Sequence, residues 1–300
     1  MDTVLELILV PGLAVLAPLL ARVFVRWLAI PIVVLEILLG IAVGPVQGGA
    51  RMSQNEDARS VTIVTGAAGG VGSAVVRALV AAGGKVVAED IDPKVAELAS
   101  DDVAVVIGDV AATATAEEAV RVALERFGTL TGLVNNAARF NMTSIQDTSP
   151  ELWDAVMATN ARGPFVHIKA AEAALVASGG AIVNTGSMSG LIGMPNQLLY
   201  GATKGAVHQI TKMAAIELAP SGVRVNAVAP GHIETGFMDN FLPPEGEVRD
   251  EVLDGIQHSH PIGRSSKPEE VAAAITFLLS PAAGTITGVV LPVDGGYTTA

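Results

Sequence analysis

Short runs of β-branched and aliphatic residues alternate with longer segments of helical periodicity from residue 61 onward. The runs have the length and composition of buried strands. This alternation is typical of a parallel sheet that is covered by helices on both faces. The predicted strands are 61–65, 85–89, 103–107, 131–135, 181–185, 223–229 and 288–293, and the predicted helices lie near 71–82, 93–99, 115–127, 150–176, 197–219 and 268–280.

Two of these helices have well-marked starts. The segments 149–151 (SPE) and 266–269 (SKPE) each combine a capping hydroxyl, an early proline and an acidic first turn. Seven strands with right-handed crossovers predict an α/β fold, a doubly wound parallel sheet of Rossmann type. Ligands of such sheets bind at the carboxyl ends of the strands. We expect the segment from about 232 to 262 to form a lid over that site.

The first fifty residues follow a different pattern. Residues 7–21 and 27–46 are apolar runs, separated by a short segment that holds Arg22 and Arg26. The second run is long enough to cross a hydrocarbon layer of ~30 Å, and the first is nearly so. Neither has the features of a signal peptide. The pattern favours a transmembrane hairpin, with a buried helical hairpin as the alternative, and residues 20–45 resemble the N-terminus of bacterial cation:proton antiporters.

Charge divides the chain at the same place. The 18 Lys and Arg against 30 Asp and Glu give a formal net charge of −12, and the charges of residues 1–51 sum to zero. The excess therefore belongs to residues 52–300, and so acidic a surface makes nucleic acid a poor partner. We predict a hydrophobic segment over 1–51 and one domain over 52–300.

The rare residue types exclude several kinds of site. The chain has no cysteine, which excludes disulfides, thiolate metal sites and a cysteine nucleophile. Its five histidines are scattered, and the closest pair is His258 and His260. We expect this pair to lie in a solvated loop, so no metal site is predicted.

A glycine-rich run, TGAAGGVG at 65–72, follows the first predicted strand and opens the first predicted helix. Glycines at this point let the backbone turn tightly and let a pyrophosphate approach the helix N-terminus. The alternative is a glycine-rich helix start without a ligand. Because the strand and the helix are both in place, the run predicts a dinucleotide site.

Asp90 comes directly after the second predicted strand, eighteen residues beyond Gly72. A carboxylate there accepts hydrogen bonds from the adenosine ribose hydroxyls and repels a 2′-phosphate. No Lys or Arg in the glycine-rich run would neutralise that phosphate. The pattern predicts NAD(H) as the cofactor, the alternative being a solvated strand end.

Together these features resemble the short-chain dehydrogenase/reductase family, over residues 58–300. The run at 65–72 has the family's TGxxxGxG spacing. The resemblance implies an oxidoreductase that moves hydride between a nicotinamide cofactor and an alcohol/carbonyl pair. Ala138 departs from the glycine that the family usually has. The other matches are Asp109-Val110, Asn135-Asn136-Ala137-Ala138, Asn160, Ser187, Tyr200-x-x-x-Lys204, Pro230-Gly231-x-x-x-Thr235 and Asp294-Gly295-Gly296.

Tyr200 and Lys204 lie four residues apart on a predicted helix, so both side chains project from one face. A tyrosine of ordinary pKa, ~10, is too weak a base near neutral pH. An ammonium ~4 Å away would lower that pKa by about three units, although desolvation opposes part of the effect. An oxidised nicotinamide ring would add a second positive charge. We therefore expect the pKa of Tyr200 to fall into the range that suits acid/base catalysis.

The resemblance assigns roles to further residues. It implies that Ser187 holds the substrate oxygen and that Asn160 orders a water leading to Lys204. It also implies that Thr235 contacts the nicotinamide carboxamide. The expected catalytic group is thus Asn160, Ser187, Tyr200 and Lys204. The expected cofactor contacts are Gly66, Gly70, Val71, Gly72, Asp90, Asp109, Val110, Asn136, Tyr200, Lys204, Pro230, Gly231, Ile233 and Thr235.

The function predicted is NAD(H)-dependent interconversion of a secondary alcohol and a ketone, in the cytoplasm. The apolar segment 188–195 (MSGLIGMP) favours a small neutral substrate. Three alternatives stay open: reduction of a 3-oxoacyl thioester, a membrane-tethered form of the enzyme, and a nucleotide-binding regulator without turnover. The intact Ser-Tyr-Lys-Asn set disfavours the regulator.

Two expectations concern assembly. Arginines between two spans would keep that loop cytoplasmic, which would place residues 52–300 outside the cytoplasm, away from the nicotinamide pool. We therefore expect residues 1–51 to be dispensable, with Met52 starting the working protein or a membrane-protein fragment fused upstream. The family resemblance implies a homodimer or homotetramer that pairs through helices 150–176 and 197–219.

Overall fold

A seven-stranded parallel sheet organises the molecule. The computed structural model describes residues 60–299. The strand order is β3-β2-β1-β4-β5-β6-β7, and every neighbouring pair is parallel. The order reverses between β1 and β4, and this confirms the predicted doubly wound α/β fold. The strands are β1 Val61–Thr65, β2 Lys85–Asp90, β3 Val103–Ile107, β4 Gly132–Asn135, β5 Ala181–Thr185, β6 Arg224–Pro230 and β7 Val290–Val293.

Seven α-helices are found among the described residues. They are α1 Gly70–Ala81, α2 Thr113–Phe127, α3 Pro150–Met157, α4 Gly163–Ser178, α5 Leu198–Leu218, α6 Glu247–His258 and α7 Pro268–Leu279. Within residues 60–299, no helix combines the length and hydropathy that crossing a bilayer requires. The predicted hairpin of residues 1–51, with its antiporter resemblance, lies outside the described residues.

Three predicted elements take a different form. The segment expected as a helix at 93–99 is a 3-10 helix, Pro93–Leu98. The single helix expected over 150–176 is divided by a π-helical turn, Ala158–Arg162, into α3 and α4. The predicted lid at 232–262 contains a regular helix, α6, and a 3-10 turn, Gly236–Phe241.

The core forms one apolar layer on each face of the sheet. Neighbouring residues of one strand point to opposite faces, so Ile63 and Val64 belong to different layers. Helices α1 and α7 cover the layer of Val64, and α2, α4 and α5 cover the layer of Ile63. Because both faces are buried, the strands are nearly continuous in hydrophobicity.

One of the two predicted helix caps is confirmed. The Ser149 Oγ accepts a hydrogen bond from Leu152 N at 3.2 Å and caps α3. The prediction that the Ser266 hydroxyl caps the helix at 266–269 was wrong. Ser266 pairs with Ile233 in an isolated bridge, and the Glu270 carboxylate instead accepts the N–H of Lys267, the N-cap residue of α7.

Buried amide side chains join helix α5 to the middle of the sheet. Asn135 Nδ2 donates to Asn184 Oδ1 at 2.8 Å, across the β4–β5 pair. Asn184 Nδ2 then donates to Thr211 Oγ1 of α5 at 2.9 Å. In a dry interior, polar groups of this kind need their partners. The network therefore fixes α5 at one position along the strands.

A second buried polar contact joins β2 to α4. Glu89 and His167 are both essentially unexposed, and His167 Nε2 lies 2.9 and 3.1 Å from the two Glu89 carboxylate oxygens. His167 Nδ1 donates to Gly163 O at 2.9 Å, because a carbonyl oxygen can only accept. Nε2 faces a carboxylate, which also can only accept. The contact therefore needs one proton, shared between Nε2 and the carboxylate. Burial alone would lower the pKa of His167, but Glu89 and the Gly163 carbonyl outweigh it and raise that pKa.

This pair makes the stability of the fold sensitive to alkaline pH. The pKa of His167 is higher in the folded protein than in the unfolded chain, where it is ~6.5. The contribution of the pair to the free energy of unfolding is therefore complete below pH ~6.5 and is lost as the pH rises through the pKa of the folded state. One proton changes the unfolding free energy by up to about 1.4 kcal/mol per pH unit in that window. In Glu89→Gln, a neutral His167 would accept from the new amide, so the variant should lose this alkaline slope. Urea denaturation between pH 6.5 and 9 tests it, and parallel slopes in both proteins would contradict it.

Candidate active site

A cavity of about 650 Å³ lies at the carboxyl ends of the central strands. It collects residues that are far apart in the sequence, as a doubly wound sheet predicts. Two of the predicted site residues, Gly72 and Asn160, do not line it. Those that do are Gly66, Gly70, Val71, Asp90, Asp109, Val110, Asn136, Ser187, Tyr200, Lys204, Pro230, Gly231, Ile233 and Thr235.

The glycine-rich turn packs tightly against its own backbone. Gly66 has φ +66°, a left-handed conformation that favours glycine. A Cβ on Gly72 would lie 2.0 Å from the Gly66 carbonyl oxygen, so Gly72 serves the closure of the turn onto α1. Gly69 differs, since a Cβ there would meet only Gly66 O, at 3.4 Å, and would otherwise face open space. Gly69 lines the cavity, so its lack of a side chain leaves room for a ligand.

Asp90 and Asn136 hold the ends of their strands against this turn. Asp90 Oδ2 accepts from Ala68 N, and its Oδ1 accepts from Asp92 N, both at 2.9 Å. Asn136 Nδ2 donates to the carbonyls of Thr65 and Gly66 at 3.2 Å. Both side chains are thereby positioned by backbone groups at the rim of the cavity.

Three buried side chains meet at the inner end of the cavity. Ser187, Tyr200 and Lys204 are 8%, 7% and 2% exposed, although all three are polar. Lys204 Nζ donates to Thr185 O at 2.7 Å and lies 5.6 Å from the centre of the Tyr200 ring. Ser187 Oγ accepts from Ser189 N at 3.2 Å. The predicted spacing of Ser187, Tyr200 and Lys204 therefore corresponds to one cluster in space.

The expected fall in the pKa of Tyr200 was wrong for the protein alone. Burial raises the pKa of Tyr200, and a hydrogen bond with Ser187 offsets only part of that rise. Burial also lowers the pKa of the Lys204 ammonium, to about 8. The loss of water around the phenolate outweighs the attraction of the ammonium, so desolvation is the larger effect here.

Asn160 lies within the π-helical turn and is 1% exposed. Its Oδ1 accepts from Arg139 N at 2.7 Å, and its Nδ2 donates to Arg139 O at 3.0 Å and Thr203 Oγ1 at 3.1 Å. The carboxamide therefore fastens the segment after β4 to helix α5. The role of ordering a water next to Lys204 stays a prediction.

An aromatic cluster that no sequence pattern predicts lies beside Tyr200. The Phe140 ring lies 4.9 Å from the Tyr200 ring, edge to face, and 5.7 and 5.0 Å from the rings of Phe237 and Phe241. Phe237 and Phe241 belong to the lid, so Phe140 connects the lid to Tyr200. Four methionines also line the cavity: Met142, Met188, Met194 and Met238. No motif spacing connects these loops, and only the fold brings them together.

The expectation for His260 was also wrong. His260 is 1% exposed and lines the cavity, whereas a solvated loop was expected. Its Nε2 accepts from His232 N at 3.2 Å, and its Nδ1 donates to Ile256 O at 2.8 Å. His258 is exposed at the end of α6, as expected. The two-residue spacing places the histidines on different sides of the chain.

Known proteins match this chain over the same residues. Residues 66–298 match the family model described as enoyl-(acyl carrier protein) reductase. The 2-(S)-hydroxypropyl-CoM dehydrogenase 3 of Xanthobacter autotrophicus is 39% identical, over 79% of this chain and 96% of that protein. The galactitol 2-dehydrogenase (L-tagatose-forming) of Cereibacter sphaeroides is 41% identical, over 78% and 93%. The structure of Thermoplasma acidophilum aldohexose dehydrogenase has a TM-score of 0.76 at 30% identity, over 81% and 95%.

Two glycines of the turn should respond differently to a methyl group. Gly72→Ala forces a Cβ against backbone atoms and should cost about 1–3 kcal/mol of stability. Gly69→Ala meets no such contact, so its melting temperature should stay within about a degree. The added methyl of Gly69→Ala projects toward the cavity and should instead weaken dinucleotide binding. Thermal unfolding and NADH fluorescence titration test both variants, and equal melting losses would contradict the contrast.

Proposed function

Because the chain belongs to the short-chain dehydrogenase/reductase family and is an oxidoreductase acting on CH–OH donors, we propose that it interconverts a secondary alcohol and a ketone with NAD(H). The observation that carries the proposal is the buried cluster of Ser187, Tyr200 and Lys204, in one cavity with the glycine-rich turn. Tyr200 acts as the acid/base and Ser187 holds the substrate oxygen.

The cavity fits a nicotinamide dinucleotide, the cofactor type of this family. Gly69 presents bare backbone at the N-terminus of α1, where backbone N–H groups favour a pyrophosphate, and Gly70 beside it packs against the Thr235 side chain. Asp90 stands at the end of β2 for the adenosine ribose, and Thr235 and Ile233, which also line the cavity, are available for the nicotinamide amide. When bound, the cofactor supplies or accepts the hydride. The protein contributes the placement and the proton.

Tyr200 suits proton donation to a ketone. Since burial raises its pKa, the phenol is protonated near neutral pH and able to donate to a developing alkoxide. In the opposite direction Tyr200 must react as a phenolate: its own proton first leaves to solvent, and the phenolate then accepts the proton of the substrate hydroxyl. The ammonium of Lys204, held by Thr185 O, then stabilises the phenolate. Ser187 Oγ, in the same cluster, donates a hydrogen bond to the substrate oxygen.

The walls favour a neutral, largely apolar substrate. Phe140 packs against Tyr200 and Phe237, and Phe140, Phe237 and the four methionines all line the cavity. An apolar wall of this kind binds a hydrocarbon ring or chain and leaves polar recognition to a few groups. A 3-oxoacyl thioester is the second candidate, because the description of the matched family model, enoyl-(acyl carrier protein) reductase, also names an acyl thioester, although with a C=C bond in place of the 3-oxo group.

We propose a cytoplasmic homo-oligomer as the working form. Exposed apolar side chains on α4 and α5, among them Phe165 and Ile216, are candidates for the contact between subunits. The membrane-tethered form depends on residues 1–51. The regulator without turnover is disfavoured, because it would have no use for a buried tyrosine–lysine pair.

Asp90 should select NAD(H) over NADP(H), since its carboxylate repels a 2′-phosphate. Asp90→Ser should lower the ratio of kcat/KM with NAD(H) to kcat/KM with NADP(H) by on the order of tenfold or more. Asp92→Ser is the matched control, because Asp92 caps the 3-10 helix and does not line the cavity. Steady-state rates with both cofactors test this, and a wild-type preference for NADPH would overturn the assignment.

Removing the Tyr200 hydroxyl should abolish turnover while cofactor binding persists. We expect Tyr200→Phe to lower kcat by about 10²–10⁴-fold on cyclohexanol, galactitol or an acyl thioester, whichever the wild type converts. NADH titration should stay near normal because the ring is kept. Tyr297→Phe is the control, as Tyr297 is the second tyrosine of the cavity and packs on His260. Wild-type inactivity on a broad panel of alcohols, ketones and thioesters would count against the proposed function.

A further inference from the structure

Helix α5 carries a third buried polar side chain in line with Tyr200 and Lys204. His208 follows Lys204 by four residues, so it projects from the same face, and it is 5% exposed. Burial lowers the pKa of His208 to about 4, and the positive charges of Lys204 and Lys212 contribute. The imidazole is therefore neutral near pH 7, with one nitrogen that donates and one that accepts. The proposed reaction makes no direct use of it.

The accepting nitrogen of His208 points at the Ser187 backbone. Ser187 N donates to His208 Nε2 at 3.4 Å. A backbone N–H can only donate, so Nε2 is unprotonated and the proton resides on Nδ1. Nδ1 makes no hydrogen bond of normal geometry with the described residues, although the Gly190 carbonyl is near. The ring thus accepts the hydrogen bond from Ser187 N while its Nδ1 is left without a hydrogen-bond partner of normal geometry among residues 60–299.

The loop that carries Ser187 is shaped around this ring. A Cβ on Gly186 would lie 2.2 Å from His208 Nε2, and a Cβ on Gly190 would lie 2.7 Å from His208 Cε1. Both distances are shorter than real contacts, so the loop needs glycine on each side of the imidazole. The ring fills the space beside Gly186, whereas at Gly190 the loop also packs directly on the α5 backbone, since a Cβ there would lie 2.7 Å from Lys204 C as well.

We propose that His208 is a positioning residue that holds Ser187 at its working distance from Tyr200. His208 lies on the same helix as Tyr200. It contacts the loop through one hydrogen bond, from Ser187 N, and by packing against two glycines. A shift of the loop would misplace the Ser187 hydroxyl while the cofactor contacts of the turn stay in place. The proposal rests on the function proposed above, since it takes Ser187 and Tyr200 as the pair that binds the substrate oxygen.

Two amide substitutions distinguish the role of Nε2 as a hydrogen-bond acceptor from the role of the ring in filling space. The oxygen of His208→Gln can occupy the position of Nε2, and the shorter His208→Asn side chain reaches only the level of Nδ1. We expect the Asn variant to lower kcat by on the order of tenfold or more, with the Kd for NADH within about twofold of the wild type. The Gln variant should recover most of that loss. The Ser187 amide should also exchange its hydrogen faster in the Asn variant than in the Gln variant.

The outcomes are distinct. An Asn variant with wild-type kcat, or equal losses in the Asn and Gln variants, would overturn the positioning role. Equal weakening of NADH binding and turnover would also overturn it, because general damage to the fold would then explain the loss. If the wild type converts no substrate of the panel, the proposed function fails. The amide-exchange measurement at Ser187 then decides whether His208 holds the loop, and unchanged protection in the Asn variant rejects it.

Discussion

The position of helix α5 along the sheet is the constraint on which the site depends. One face of this helix carries Tyr200, Lys204 and His208 and lies toward the end of β5 and the loop that follows it. A shift of the helix by one turn would separate these side chains from Ser187. The hydrogen bonds from Asn135 through Asn184 to Thr211 hold that position. They contribute little net free energy compared with the apolar layers, but leaving one of them unmade is costly in a dry interior. Apolar burial gives the fold its stability, and this polar network fixes its geometry.

Much of the fold was predictable because both faces of the sheet are buried. Strands such as β1 and β5 are short continuous apolar runs, and their bounds follow from the sequence almost without error. Helix α6 was not predicted, since none of its residues is buried and it therefore shows little apolar pattern. The capping error at Ser266 has a similar origin. Its bridge to Ile233 joins parts of the chain that no local pattern connects.

The site was predictable where a spaced motif encodes it. Gly66, Asp90 and Ser187 lie at the carboxyl ends of β1, β2 and β5, so they meet around one cavity, and Tyr200 reaches it from α5. Contacts that arise only from folding escaped prediction, among them the Phe140 cluster and the buried His260. The pKa of Tyr200 escaped for a different reason. The sequence does not show how deeply the phenol is buried, and in the folded protein the loss of water around the phenolate is the effect that decides the direction of the pKa shift.

The π-helical turn at Ala158–Arg162 also limits how the chain length can vary. Such a turn contains one residue more than an ordinary helical turn, and Asn160 lies inside it. The π-helical geometry spreads that extra residue over a single turn, so α3 and α4 keep nearly the phase of one regular helix. Deleting one residue there would therefore leave the faces of α4 toward the sheet, and His167 would keep Glu89. The loss would fall on the hydrogen bonds that Asn160 makes to Arg139 and Thr203. One residue gained or lost inside α4 would instead rotate the faces beyond it by about 100°. Changes of length should therefore be confined to the π-helical turn or to the lid.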